Sequence, residues 1–189
     1  MKQANKSSRI RIIAGQWRGR RLPVLTHEGL RPTTDRVRET LFNWLMHDLA
    51  GARCLDLFAG SGVLGLEALS RGAEHAVFVE SDKRVAAQLV SNLRELSAQQ
   101  RGQVQCMDAL VYLRSRPATP LDVVFVDPPY QSQLLEQVIQ LLHDNGWLSE
   151  RAVVYLERSA RDALVKVPET WTLHREGRAG QVAYRLYFV

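Results

Sequence analysis

Cys54-Leu55-Asp56-Leu57-Phe58-Ala59-Gly60-Ser61-Gly62-Val63-Leu64-Gly65 is the stretch on which the fold turns. Residues 54–58 are apolar apart from one acid, the pattern of a strand buried on both faces of a parallel sheet. Gly60-Ser61-Gly62 interrupts it, and residues 63–70 follow as a short helix that Gly72 ends. Strand, glycine turn and helix in that order begin a βαβ unit. The spacing fits G-x-G-x-x-G, in which glycines permit a tight turn and close approach of a ligand to the backbone. Glu80 stands twenty residues after Gly60, at the end of the next predicted strand.

The same alternation continues outward. Strands are expected at residues 75–80, 103–107, 121–126 and 151–157. Asp82 suits the cap of a helix reaching about Leu96, residues 109–114 form a short helix stopped before Pro117, and Ser132 opens a helix to about His143 that Gly146 ends. Residues 171–176 and 182–188, joined through Gly177 and Gly180, read as a closing hairpin. Five strands alternating with helices predict an α/β, doubly wound sheet with helices on both faces. Before it, residues 9–14 and 17–24 predict an N-terminal β-hairpin. Thr33 or Thr34 then caps a helix whose apolar face is Val37, Leu41, Trp44 and Leu45, with Arg36 and Arg38 off that face. The chain divides into a basic arm and hairpin, residues 1–30, and a main domain, residues 31–189.

Composition is that of one globular domain: 189 residues, 46% hydrophobic and 24% charged. No apolar run is long enough to span a bilayer, and the polar first residues lack a signal-peptide core. Cys54 and Cys106 fall within or at the end of predicted buried strands and read as small core residues. There is no zinc spacing and no disulfide framework, which suggests no metal and a reducing cytoplasm. Charge is unevenly spread. Residues 1–38 hold ten Lys/Arg against Glu28 and Asp35, a net of +8 within a chain of net +5, so residues 39–189 carry −3. A basic arm is the footprint of a polyanionic partner, nucleic acid first. Arg18, Arg20 and Arg21 are the leading phosphate-contact candidates, with Arg36 and Arg38 next. Trp17 among these arginines suits either stacking on an RNA base or pinning the hairpin to the body.

The chemistry is announced by Asp127-Pro128-Pro129-Tyr130, after the apolar run Leu121-Asp122-Val123-Val124-Phe125-Val126. Two prolines cannot donate to a ladder, so the strand stops there. It presents a carboxylate, a carbonyl and a ring at its carboxyl end, where open α/β sheets bind ligands. The carboxylate and carbonyl can accept both hydrogens of one NH2 group, and the ring can stack on the base that carries it. Other acids stand at successive strand ends. Asp56 lies just before the glycine turn, where it would repel a pyrophosphate and welcome an ammonium. Glu80 suits a ribose diol. Asp108 suits an adenine amine, or simply a helix cap. An ammonium, a ribose and an adenine without phosphate describe S-adenosylmethionine, held by Asp56, Gly60, Gly62, Glu80 and Asp108. A nicotinamide-dinucleotide oxidoreductase is the rival for the glycine turn. A non-enzymatic RNA-binding assembly factor is the rival for the basic arm.

Leu55-Asp56-Leu57-Phe58-Ala59-Gly60-Ser61-Gly62, Glu80, Asp108 and Asp127-Pro128-Pro129-Tyr130 resemble the successive motifs of class I amino-methyltransferases. Arg31-Pro32-Thr33-Thr34-Asp35-Arg36-Val37-Arg38-Glu39-Thr40-Leu41-Phe42-Asn43-Trp44-Leu45, Gly62-Val63-Leu64-Gly65-Leu66-Glu67-Ala68-Leu69-Ser70-Arg71-Gly72-Ala73 and Ala179-Gly180-Gln181-Val182-Ala183-Tyr184-Arg185-Leu186-Tyr187 resemble the RsmD family. That resemblance implies a Rossmann-like, seven-stranded, mostly parallel sheet with its last strand antiparallel. It implies methylation of the exocyclic N2 of a guanine in 16S ribosomal RNA, presented on assembling small-subunit particles, with Asp127, Pro128 and Tyr130 at the reacting amine. The Asp-Pro-Pro-aromatic motif is shared with N6-adenine methyltransferases of DNA and RNA, so it specifies the amine chemistry and leaves the base open.

Overall fold

The computed structural model describes residues 7–25, 34–129 and 132–189. Tyr130 and Arg31-Pro32-Thr33 lie outside the described residues. An antiparallel hairpin, β1 (Ser7–Arg11) and β2 (Arg21–Leu25), leads to α1 (Asp35–Trp44). The body then runs β3 (Arg53–Asp56), α2 (Val63–Ser70), β4 (His75–Val79), α3 (Lys83–Glu95), β5 (Gly102–Gln105) and α4 (Ala109–Leu113). It continues through β6 (Leu121–Val126), α5 (Ser132–Asp144), β7 (Leu148–Ser159), β8 (Thr172–Ala179) and β9 (Val182–Phe188).

Seven strands form one sheet in the order β5-β4-β3-β6-β7-β9-β8. Pairing is parallel from β5 through β7, and β9 runs antiparallel to both β7 and β8. The chain builds outward from β3 through β4 to β5, then returns to add β6 and β7 on the other side. The reversal lies between β3 and β6, and a crevice opens at the carboxyl ends of the strands at such a switch point. Hydrophobic alternation settles the two faces. Val123 and Phe125 of β6 enter a core with Phe42, Phe78, Leu89 and Tyr155, while Val124 and Val126 enter a second with Leu135, Val138, Trp147 and Leu156.

The hairpin belongs to the first core through Ile10, Ile12, Trp17, Leu22 and Val24. Its return strand begins at Arg21, later than expected from sequence, because residues 14–19 are bends and turns. The Trp17 ring is buried in the first core and its backbone N–H donates to Ser70 Oγ at 3.0 Å, so Trp17 pins the hairpin and is not presented for stacking on a base. Gly15 has φ +79°, and a Cβ there would lie 1.9 Å from the Ser70 carbonyl oxygen. Thr34 is the residue that caps α1, accepting from Val37 N–H at 3.4 Å. Cys54 is buried as expected. Cys106 is exposed, because β5 ends at Gln105, short of the strand the sequence suggests.

Glu67, fully buried on α2, binds three elements together. It accepts from Ile13 N–H at 2.8 Å, Ala14 N–H at 2.9 Å and Arg71 Nε at 2.8 Å, with the Arg38 guanidinium 3.8 Å away. Arg38 is buried rather than displayed. It donates to the Arg11 carbonyl at 3.0 Å and pairs with Asp35, so this arginine ties α1 to the hairpin and cannot serve as a phosphate contact. Glu67→Ala should cost about 3–5 kcal/mol, since it leaves buried cations and two backbone N–H groups without their acceptor. Urea unfolding followed by tryptophan fluorescence measures this; an unchanged midpoint would remove Glu67 from that role.

Candidate active site

The glycine turn joins β3 to α2 beneath the crevice. Gly60 has φ +49° and Gly62 φ +72°, conformations that side-chain-bearing residues rarely adopt. Gly62 N–H donates to the Ala59 carbonyl at 2.6 Å and Gly62 caps α2. The third glycine has a packing role. A Cβ on Gly65 would stand 2.3 Å from Phe78 Cε1, so its absence lets α2 settle on β4.

The acids at the strand ends are drawn to this turn. Glu80 follows β4 and accepts from Gly60 N–H at 2.9 Å with one oxygen and from Asp82 N–H at 2.7 Å with the other. It therefore shapes the turn and steadies the start of α3, which Asp82 caps as the sequence suggests. Each of its oxygens retains a lone pair. Asp56, the last residue of β3, is buried and accepts from Gly65 N–H at 3.0 Å. Burial pushes its carboxyl up to about 7; the Gly65 N–H opposes that shift and the Glu80 charge adds to it. Asp108 follows β5, is exposed, and caps α4 by accepting from Val111 N–H at 3.0 Å.

Asp127 and Pro128 follow β6 directly; Asp127 is half-buried and Pro128 buried. Because β3 and β6 are parallel neighbours with Asp56 opposite Phe125, the end of β6 stands beside the glycine turn. Leu57 N–H donates to the Phe125 carbonyl at 3.1 Å and extends that link. Sequence reasoning passed over one further acid. Glu157, within β7, is buried and accepts from the Tyr155 hydroxyl at 2.8 Å. Its signal was available, since it follows the apolar run Ala152-Val153-Val154-Tyr155-Leu156 as the other acids follow theirs.

The basic candidates spread over the surface. Arg18, Arg20, Arg21 and Arg36 are exposed. The hairpin turn carrying Arg18 and Arg20 docks at the carboxyl ends of α2 and α3, through Gln16 N–H to the Ser70 carbonyl at 2.7 Å and Arg20 to Glu95 at 3.4 Å. That end is the length of α2 away from the glycine turn, roughly 12 Å for an eight-residue helix. The open end of the hairpin is nearer, where Val24 and Leu25 border a shallow cleft with Gly60, Ser61, Val85 and Asn92. Among the described residues there is no cluster of three or more metal-ligating side chains, and no helix is long and apolar enough to cross a membrane.

Comparison with known proteins places the chain in a family and matches its fold. A family model described as conserved hypothetical protein 95 matches residues 10–188. Ribosomal RNA small subunit methyltransferase D of Escherichia coli (strain K12) is 55% identical over 189 residues, spanning 99% of this chain and 94% of the relative. The protein of the same name from Haemophilus influenzae is 51% identical over 185 residues, spanning 97% of this chain and 95% of the relative. The solved structure of yhhF from Escherichia coli superposes with a TM-score of 0.89 at 53% identity, covering 96% of this chain and 98% of that one.

The raised Asp56 carboxyl has a consequence for stability. A group that holds its proton more tightly when folded stabilises the fold below its unfolded value near 3.8 and loses that contribution as pH rises through about 7. Asp56→Asn lacks the titration. Its stability relative to the parent should therefore rise between pH 4 and 7, by at most about 1.4 kcal/mol per pH unit. Urea unfolding of both proteins across that range measures the difference; parallel curves would show that Asp56 does not titrate there.

Proposed function

The chain belongs to the RsmD family, and from that premise we propose that it methylates the exocyclic N2 of a guanine in 16S ribosomal RNA. The coarser part is the family's: an S-adenosylmethionine-dependent methyltransferase of small-subunit ribosomal RNA. The observation that supports the amine chemistry is the alignment at the switch point, with Asp127-Pro128 ending β6 beside the glycine turn that ends β3; the choice of guanine follows from the likeness to the RsmD family. The donor set fits the cofactor. A buried acid beneath the turn is wrong for a pyrophosphate, and a dinucleotide gives no use for Asp127-Pro128, which together disfavour a nicotinamide dinucleotide; Glu80 suits a ribose in either ligand. Asp56 and Glu80 are right for an ammonium and a ribose diol. Asp56 would face the ammonium, Gly60 and Gly62 line the chain, Glu80 accept from the ribose hydroxyls, and Asp108 meet the adenine amine. When bound, the cofactor supplies a methyl group on a positively charged sulfur.

The protein's share is orientation and electrostatics. The guanine N2 lone pair is delocalised into the ring and is a poor nucleophile. The Asp127 carboxylate and the Pro128 carbonyl accept its two N–H bonds, turn the lone pair toward the methyl group and favour the positive charge growing on nitrogen. Fixing both reactants in line contributes up to roughly 7–11 kcal/mol in well-oriented reactions. Tyr130 stacks on the base, which is swung out of its RNA helix. Asp127 is also the candidate acceptor of the proton released after transfer. Arg18, Arg20, Arg21 and Arg36 hold phosphates, with the substrate presented in an assembling small-subunit particle in the cytoplasm.

Incubation with labelled S-adenosylmethionine and small-subunit particles lacking the modification should yield N2-methylguanosine on nucleoside analysis. Label in N6-methyladenosine would overturn the choice of base. Asp127→Ala should lower turnover by about tenfold to a hundredfold while leaving cofactor affinity nearly intact, as befits loss of one charged acceptor. Wild-type turnover in that variant would sink the role given to Asp127. Glu80→Ala should weaken cofactor binding tenfold or more by titration calorimetry; an unchanged dissociation constant in the folded variant would remove Glu80 from the site.

A further inference from the structure

We propose that Glu157 selects guanine at the reaction site by accepting the ring N1–H while Asp127 and Pro128 hold the neighbouring N2 amine. This rests on the guanine-N2 reading above. Strands β6 and β7 are parallel, with Phe125 opposite Tyr155 and Val126 opposite Leu156, so the next positions along them are Asp127 and Glu157. Side chains alternate between faces with period two. Phe125 and Tyr155 lie in the same core, their rings 6.4 Å apart; two residues on, Glu157 keeps to the Tyr155 side of β7 and Asp127 follows the end of β6 next to it. The Tyr155 phenol meets Glu157 directly and feels the charge of both carboxylates. The Tyr155 hydroxyl donates to Glu157 Oε2 at 2.8 Å. The Tyr155 phenol is pushed well above its ordinary value by burial first, then by the charge of Glu157 and that of Asp127.

The two purines differ on the edge such a pair would meet. Guanine presents ring N1–H directly beside its N2 amine, so every group there is a donor. Adenine presents an acceptor nitrogen beside its N6 amine. An ionised carboxylate only accepts, and its two oxygens can take several hydrogen bonds at once, so accepting from Tyr155 does not bar Glu157 from accepting an N–H. Asp127 alone, with the Pro128 carbonyl, takes an amine from either base. A second acceptor fixed beside it pairs with guanine and opposes the adenine ring nitrogen. Flipped bases are read this way, along the Watson–Crick edge in a close-fitting pocket, and a site built to bind an N–H rejects an analogue that lacks it. The hydroxyl of Tyr155 would hold Glu157 in the orientation this requires.

The competing role is purely structural, with Glu157 serving only as acceptor for Tyr155. Glu157→Gln separates the two, because glutamine still accepts from the hydroxyl but loses the charge. The probe is 2-aminopurine, which keeps the C2 amine but has an acceptor at N1. It is placed in the RNA of reconstituted small-subunit particles at the guanine the wild-type enzyme methylates. The wild-type enzyme should favour guanine over 2-aminopurine at least tenfold in kcat/KM. In Glu157→Gln, kcat/KM on guanine should fall at least tenfold and on 2-aminopurine hardly at all, so the preference collapses; cofactor titration confirms that the variant is folded. A variant that keeps the wild-type ratio overturns the proposal. Equal wild-type rates on the two bases overturn it as well, and that measurement stands even where the variant does not fold. A wild-type enzyme that leaves guanine N2 unmethylated defeats the functional reading itself, and the assignment of Glu157 falls with it.

Discussion

The carboxylate of Glu67 is the interaction on which the placement of the amino-terminal third depends. It is wholly buried, and its ligands come from the hairpin backbone, from α2 through Arg71, and from α1 through Arg38. A carboxylate out of water is costly unless hydrogen bonds and cations replace its hydration. Here two backbone N–H groups and two guanidinium groups do so. The same arrangement supplies partners for the N–H groups of Ile13 and Ala14, just past the last cross-hairpin bonds at Ile12. The hairpin is thereby locked against α2 and α3, with Gly15 pressed on the Ser70 carbonyl and Asn92 donating to the Pro23 carbonyl at 3.0 Å.

With that packing in place, the crevice follows from topology. Parallel strands deliver their carboxyl ends to one edge, and the reversal of strand order between β3 and β6 leaves a gap there. Asp56, Glu80, Asp108 and Asp127 all stand at that edge, one from each of four neighbouring strands. Three of them also have a local task. Asp56 binds the first turn of α2, Glu80 holds the glycine turn, and Asp108 caps α4. Structural and chemical duties are compatible because a carboxylate oxygen can accept more than one hydrogen bond. Those local bonds hold the carboxylates in place at the edge of the crevice, and groups held in place beforehand lower the ordering cost of any binding proposed there.

Charge shows how a one-dimensional count can mislead about position. Residues 1–38 hold a net +8, yet Arg38 spends its charge inside the fold and Arg20 faces Glu95. Trp17, flanked by arginines in sequence, is a core residue beneath the Arg101 guanidinium, 5.8 Å from its ring centre. Exposed pairs such as Arg20 with Glu95 contribute little to stability, so these surface arginines remain available for longer-range attraction of a polyanion.

Much of the protein is legible in the sequence alone. Residues 63–70 as a helix, 121–126 and 182–188 as strands, and the capping of α3 by Asp82 were readable because each depends on near neighbours: hydrophobic period, glycine punctuation and a capping side chain. The acids at successive strand ends were readable too, since strand, acid and turn are contiguous. Other features were decided only in three dimensions. Arg38 looked exposed because helical period alone cannot foresee a buried acid twenty-nine residues later on another helix. Glu157 looked like the end of one more strand until register set it beside Asp127 and over Tyr155. Local sequence can specify a side chain's period and cap, but the partner that gives a buried charge its meaning comes from strand order and packing, which bring distant residues together.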